Sequence, residues 1–142
     1  RAAGKLGPEQ EVWARGEIAA LGAQFPMACV KYDVALEQQY WLPDLADIHV
    51  LTAAVVGSCD AILTINTKDF PRNILGDEQL LRLDPDSFIR DLLLSDTVQV
   101  TATAEAILAE ANRLSETPWT MRALMKKARL PRFGKALTAN ES

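Results

Sequence analysis

Four side chains with oxygen donors fall in two short polar turns of this 142-residue chain. Asp44 and Asp47 lie in the first turn, and Asn66 and Asp69 lie in the second. Carboxylate and amide oxygens are the ligands that hard divalent cations prefer. Each residue alone has an ordinary explanation, because Asp and Asn often cap helices or form turns. Only the four together, in this order, favour a metal site.

The elements between the two turns decide whether these side chains can meet. The apolar pattern predicts a helix over residues 47–56, which Gly57 ends, and a strand over residues 61–65 that is buried on both faces. Asp47 would begin the helix. Asn66 would follow the strand, at the sheet edge where open α/β folds usually bind ligands. Both turns would then lie at the same edge of a βαβ-like unit.

Two further polar residues belong to the same region. Thr64, near the end of the predicted strand, is placed to orient a water or a phosphate oxygen. His49, the only histidine of the chain, either supports a ligand carboxylate or is a half-buried structural histidine. A catalytic triad has little support, because no Ser or Cys nucleophile is placed for this histidine. The glycine-rich phosphate-binding motifs GxGxxG and GxxxxGK[ST] are absent from the sequence.

The remaining elements are predicted from apolar periodicity and from capping residues. They are a helix from Gly7-Pro8 to about Gly22, a strand over 27–32, an ambiguous stretch over 33–41 that fits one irregular helical turn, a strand over 81–83, a helix capped by Asp84, a helix from Asp96 or Thr97 to about Leu114, a helix from Thr117-Pro118 to Leu130-Pro131, and a short basic segment to Leu137. The residues expected to face inward in the later helices are Phe88, Ile89, Leu92 and Leu93, then Val98, Ile107 and Leu108, then Met121, Leu124 and Met125.

The composition is that of a globular domain with a real core, with 49% hydrophobic and 24% charged residues. No apolar run approaches the length of a membrane span and no signal peptide opens the chain, so we expect a cytoplasmic protein without a membrane partner. Cys29 and Cys59 lie in apolar contexts with no histidine nearby, which favours structural thiols in a reduced protein.

The charge is distributed unevenly along the chain. Residues 1–112 hold 8 Lys and Arg against 17 Asp and Glu, a balance of −9, whereas residues 113–142 hold 7 against 2, a balance of +5. A basic tail on an acidic body either brings RNA phosphates or an acidic partner near the acidic turns, or is a solvated helical face. The basic side chains concerned are Arg122, Lys126, Lys127, Arg129, Arg132 and Lys135.

Two separated blocks of the sequence resemble the PIN-domain nucleases, and in particular the bacterial toxin-like (VapC-type) branch of type II toxin–antitoxin systems. The blocks are Leu42-Pro43-Asp44-x-x-Asp47-x-His49-Val50-Leu51-x-Ala53-Ala54 and Asp60-Ala61-Ile62-x-Thr64-x-Asn66-x-x-Asp69-Phe70-Pro71. The resemblance continues through Leu83-x-Pro85-Asp86-x-Phe88 and extends over residues 5–94. It implies an α/β fold, the three-layer α/β/α sandwich with a parallel sheet. It also divides the chain into residues 1–94, the C-terminal part of a PIN-like domain, and residues 95–142, a helical extension.

The resemblance also implies a chemistry and a set of roles. PIN nucleases hydrolyse RNA phosphodiester bonds with Mg²⁺ or Mn²⁺ held by clustered acids. By resemblance, Asp47 and Asp69 are the expected catalytic residues, and Asp47, Asp44 and Asn66 are the expected metal ligands. The implied partners are an RNA substrate and an antitoxin protein.

The chain departs from the family pattern in two ways. Ala46 stands where many relatives have another Asp, and the first strand with its Asp, followed by a helical Glu, is not found. Such a chain would have an incomplete sheet whose open strand edges need pairing. Two hypotheses follow: the C-terminal part of a metal-dependent ribonuclease, or a catalytically incomplete binding module that pairs with an N-terminal fragment or with a second copy of itself.

Overall fold

The computed structural model describes residues 7–139. It is a mixed α/β fold that is mostly helical, with a small parallel sheet of two strands. The outer ends of the two predicted domains, residues 1–6 and 140–142, lie outside the described residues. The chain separates into two compact units. The first unit contains residues 7–41 and 45–59, and the second contains residues 42–44 and 60–139.

The first unit opens with α1, Pro8–Gln24, which confirms the predicted helix start. Pro8 stands in its first turn with Glu9 and Glu11, where the fixed φ of proline and negative charge both favour a helix N-terminus. No residue of α1 is buried. The strand predicted over 27–32 is wrong, because these residues form turns, bends and irregular backbone without a pairing partner among the described residues.

The rest of the first unit contains two 3₁₀ segments and one α-helix. A 3₁₀ helix, Val34–Gln39, begins where the side chain of Asp33 accepts a hydrogen bond from the N–H of Ala35 at 3.0 Å. A short 3₁₀ turn, Leu45–Asp47, leads into α2, Ile48–Val56, which confirms the predicted helix. This helix ends at Gly57, and a side chain there would approach Val30 Cγ2 to 2.7 Å.

The sheet of the second unit consists of β1, Ala61–Leu63, and β2, Leu81–Leu83, paired in parallel with Ile62 opposite Arg82. The helix α3, Arg72–Asp77, lies between them in sequence. Both strands were predicted, but the expected burial of β1 on both faces is wrong. Ile62 is buried, whereas Leu63 is 50% exposed and Ile65 beyond it is 54% exposed. Among the described residues two strands alone form the sheet.

Four helices follow the sheet: α4 Pro85–Ser95, α5 Thr97–Leu114, α6 Met121–Lys127 and α7 Pro131–Leu137. The predicted caps are confirmed, since the side chains of Asp84 and Asp96 accept hydrogen bonds from the N–H groups of Ser87 and Gln99. The helix expected from Thr117-Pro118 begins later, because the Thr120 side chain caps it. The segment after Pro131, predicted only as a short basic segment to Leu137, is the helix α7.

The core of these helices is formed by Leu93, Ala104, Met125 and Phe133. Several residues predicted to face inward are instead exposed, and the exposed fractions are 37% for Phe88, 44% for Leu92, 83% for Val98 and 52% for Ile107. Gly134 permits the close approach of α7 to α6, because a Cβ there would lie 2.8 Å from Met125 Cβ. The domain boundary between residues 94 and 95 stays a prediction; α4, which crosses it, shares this core with the three helices that follow.

Asp86 connects α4, the first of these four helices, with α7, the last of them. Its side chain is buried, and its two carboxylate oxygens accept hydrogen bonds from the backbone N–H groups of Arg132 and Phe133 at 3.0 and 2.9 Å. A carboxylate of α4 therefore caps the N-terminus of α7, whose own preceding residue Leu130 offers no side-chain oxygen.

Cys29 and Cys59 are both free thiols and both are exposed, and their interpretation as structural residues stays a prediction. No helix within residues 7–139 is both long enough and apolar enough to cross a lipid bilayer.

Candidate functional site

The loop that follows β1 is closed by its own polar side chains. The hydroxyl oxygen of Thr64 accepts a hydrogen bond from the N–H of Asn66 at 3.0 Å. The Asn66 amide then makes two bonds with Asp69: its Nδ2 donates to Asp69 Oδ2 at 2.9 Å, and its Oδ1 accepts from the Asp69 N–H at 3.1 Å. Asn66 therefore forms the turn, as Asn often does, and also restrains the Asp69 carboxylate.

The second unit brings Asp69 together with Asp44. One carboxylate oxygen of each lies within 4.8 Å of the other; Asp69 is half-buried and Asp44 is exposed. Two oxygens that share one octahedral Mg²⁺ lie about 3–4 Å apart, since each bond is about 2.1 Å long. The donor set consists of oxygen only, which is the chemistry that a hard divalent cation prefers.

The predictions missed a residue that supports this loop. Arg82, on β2, donates from Nη1 to the carbonyl oxygens of Thr67 and Phe70, both at 3.1 Å. These contacts join residues 12 and 15 positions apart in sequence. The alternation of β2 places Arg82 between two leucines, which indicates a strand but gives no sign of the loop that it binds.

Asp47 and His49 lie in the first unit. Asp47 ends the 3₁₀ turn before α2, and its half-buried side chain makes no capping hydrogen bond to that helix, so helix capping does not explain its presence. His49 is exposed, which contradicts the half-buried alternative. Its Nδ1 lies 2.7 Å from the carbonyl oxygen of Ala46, a contact that places the proton of a neutral ring on Nδ1.

A shallow recess of about 470 Å³ beside His49 is lined by Glu37, Leu45, Ala46 and His49 itself. The Tyr32 hydroxyl donates to Glu37 Oε1 at 2.7 Å. This hydrogen bond is the largest of the causes that raise the pKa of the Tyr32 phenol, and slight desolvation and the Glu37 charge act in the same direction.

The basic residues predicted to contact RNA or a partner are all exposed: Arg122, Lys126, Lys127, Arg129 and Arg132. None of them belongs to an ion pair closer than 4.0 Å within the described chain. Arg132 also has a structural role, since its Nη1 donates to the Ser87 hydroxyl at 3.1 Å. Near it, desolvation raises the pKa of Asp84, but hydrogen bonds from Ser87 and the Arg132 charge outweigh this and lower the pKa.

The chain is 35% identical over 79 residues to a protein named "Putative ribonuclease VapC50" from Mycobacterium tuberculosis (strain ATCC 25618 / H37Rv). The match supports a VapC-type family, at the level of a partial similarity. It covers 56% of this chain and 45% of that relative, so the chain spans less than half the length of the curated protein it matches. No protein-family model and no solved structure matches the chain.

Proposed function

We propose that this chain is part of a metal-dependent endoribonuclease of the PIN type, a toxin of a toxin–antitoxin pair that hydrolyses RNA phosphodiester bonds. The observation that carries the proposal is the pair of Asp44 and Asp69 carboxylates within 4.8 Å, with Asp69 fixed by Asn66. The partial similarity to a protein named as a VapC-type ribonuclease supports the same activity. The proposed fold of the whole domain is the three-layer α/β/α sandwich.

Asp44 and Asp69 are the residues that would hold Mg²⁺ or Mn²⁺, and we propose Asp47 as a third ligand because it follows Asp44 by three residues and is not used as a helix cap. The bound ion would supply an activated water and would offset the negative charge of the scissile phosphate. Asn66 keeps Asp69 in one orientation, and Thr64 keeps Asn66 in place. His49 is proposed to stabilise the turn before Asp47 through its contact with Ala46.

The test is RNA cleavage in Mn²⁺ by the full-length gene product, compared with its Asp69→Asn and Asp47→Asn variants. We expect each variant to lose at least about a hundredfold in rate, because a preorganised charged ligand contributes several kcal/mol to such catalysis. Asp77→Asn is the matched control, since Asp77 is an exposed carboxylate on α3 of the same unit as Asp69. Unchanged cleavage by both site variants would refute the proposal.

The second candidate is a catalytically incomplete PIN-like binding module, and the structure offers one observation in its favour. The described sheet has only two strands. Leu63 of β1 is 50% exposed and Leu81 of β2 is 62% exposed. Such strands are suited to pairing with an N-terminal fragment, a second copy or an antitoxin chain. Efficient RNA cleavage by the 142-residue chain alone, abolished by EDTA, would exclude this candidate.

A further inference from the structure

We propose that Arg82 is a positioning residue, which holds the loop between Asn66 and Phe70 so that Asp69 presents its carboxylate beside Asp44. The consequence for catalysis rests on the proposed function, but the positioning itself does not. Within the described residues, Arg82 makes no ion pair with the Asp69 carboxylate. It acts on Asp69 only through the backbone of the loop.

The contacts of Arg82 explain how one side chain fixes this loop. Thr67 and Phe70 lie on opposite sides of Asp69, and one nitrogen of the guanidinium binds the carbonyl oxygens of both at 3.1 Å. The Nη1 atom carries two hydrogens, so one can serve each carbonyl. Phe70 is buried, which anchors one end of the bridged segment to the interior. The position of Asp69 between the two bridged residues is thereby restricted from both sides.

The strand beneath Arg82 makes this support rigid. Arg82 is the central residue of β2, and it pairs with Ile62 of β1. The loop itself begins where β1 ends, and the N–H of Thr64 donates to the carbonyl oxygen of Leu83 at 3.0 Å. The loop is therefore bound to β2 at its beginning by the backbone and further along by the Arg82 side chain. Asn66 and Arg82 restrain the same carboxylate from within the loop and from outside it.

A charge effect and a positioning effect of Arg82 predict opposite results for cation binding. If Arg82 acted through its positive charge alone, its removal would strengthen the binding of Mn²⁺ by reducing repulsion. If it positions Asp69, its removal disorders a ligand and weakens binding. Supporting residues around metal ligands typically account for about 10–100-fold in affinity.

The first readout needs no metal. We expect Arg82→Gln to accelerate hydrogen exchange of the Asn66 and Asp69 backbone amides by about tenfold or more, because local opening of the loop becomes easier. Exchange at Ala104, in the core of the later helices, should stay unchanged. The matched control is Arg72→Gln, which removes a positive charge from an exposed residue three positions beyond Asp69. Unchanged exchange of both loop amides in Arg82→Gln would overturn the proposal.

The second readout is Mn²⁺ affinity, measured by calorimetry on the full-length gene product. We expect about tenfold weaker binding in Arg82→Gln, and unchanged or slightly tighter binding in Arg72→Gln. Tighter binding in Arg82→Gln would overturn the positioning role. Absence of Mn²⁺ binding by the unaltered protein would instead refute the proposed function, while the exchange result would still decide the role of Arg82.

A measurement on the unaltered protein covers the case in which Arg82→Gln does not fold. Hydrogens of Nη1 that are held by two carbonyl oxygens slow the rotation of the guanidinium group. We therefore expect separate nuclear magnetic resonance signals for the Arg82 Nη hydrogens at low temperature. A single averaged signal for Arg82, like that of exposed Arg72, would overturn the proposal.

Discussion

The Asp69 carboxylate is held before any ligand arrives, because Asn66 contacts both its side chain and its backbone N–H. An amide suits this position better than a second carboxylate would. Its Nδ2 donates to Asp69 without adding negative charge, whereas an aspartate there would place two acceptors side by side. The same bonds give Asn66 a role other than the metal ligation expected from the resemblance. Its Oδ1 is already used by the Asp69 N–H, although a carbonyl oxygen can accept a second contact.

The phenol of Tyr32 offers a test of the contacts around His49. We expect Glu37→Gln to bring the raised pKa of Tyr32 back toward 10.0, because the hydrogen bond to a charged acceptor is the largest cause of the shift. The raised pKa means that the folded state holds the phenolic proton more tightly than the unfolded state. This contribution to stability is complete below pH 10 and is lost as pH rises through the folded-state pKa.

The measurement is an alkaline titration followed by phenolate absorbance. Tyr32→Phe identifies the share of the signal that belongs to Tyr32, since Tyr40 also absorbs. A Tyr32 titration that is identical in Glu37→Gln and in the unaltered protein would show that the hydrogen bond is not formed in solution.

At the scale of the elements, the buried Asp86 carboxylate does for α7 what a local cap does for other helices. We expect Asp86→Asn to lower the free energy of unfolding by about 2–3 kcal/mol, because hydrogen bonds to a buried charged acceptor are among the stronger ones. The asparagine keeps one acceptor, and its amide N–H₂ then faces a backbone N–H that has lost its partner.

Urea unfolding measures this difference, and Asp91→Asn is the control on the same helix. Asp91 is exposed, and its ion pair with Arg90 spans 3.7 Å at the surface, where such pairs contribute little. Equal losses in the two variants would mean that the contact between Asp86 and α7 contributes nothing specific.

The contrast between Asp84 and Asp86 shows how much of this fold can be predicted from sequence. Asp84 caps the helix that it precedes, through a contact with a residue three positions later. Such a local role can be predicted from the sequence. The contacts of Asp86 with α7 span 46 and 47 residues, and those of Arg82 with the loop span 12 and 15. No local pattern encodes such pairs, because they exist only once the elements are assembled.

The prediction of which residues are buried was wrong in α5 for a related reason. Val98 and Ile107 have the periodicity of an inward face, but they are 83% and 52% exposed. The face that α5 buries is set by its neighbours, and Ala104 is its buried residue. The roles predicted for the candidate site stay predictions, although one carboxylate oxygen of Asp44 and one of Asp69 lie within 4.8 Å of each other in the second unit.

At the scale of the whole molecule, the C-terminal region is basic and the remainder is acidic. The salt dependence of RNA binding tests whether the basic residues contact phosphates. The helix α6 ends with Lys126 and Lys127, both exposed. If they contact RNA phosphates, each contact adds about 0.7 to the slope of log affinity against log salt for single-stranded RNA. We therefore expect the double variant Lys126→Gln/Lys127→Gln to reduce that slope by about 1.4.

The slope is measured on a single-stranded RNA by titration at several salt concentrations, with Arg90→Gln as the control. Arg90 is a cation of α4 that is paired with Asp91 at 3.7 Å, so its loss should leave the slope unchanged. A slope unaffected by the double variant would assign these lysines to a solvated helical face or to an acidic protein partner. Since a phosphate contact changes the slope and a general loss of stability does not, the salt dependence distinguishes a binding role from a structural one.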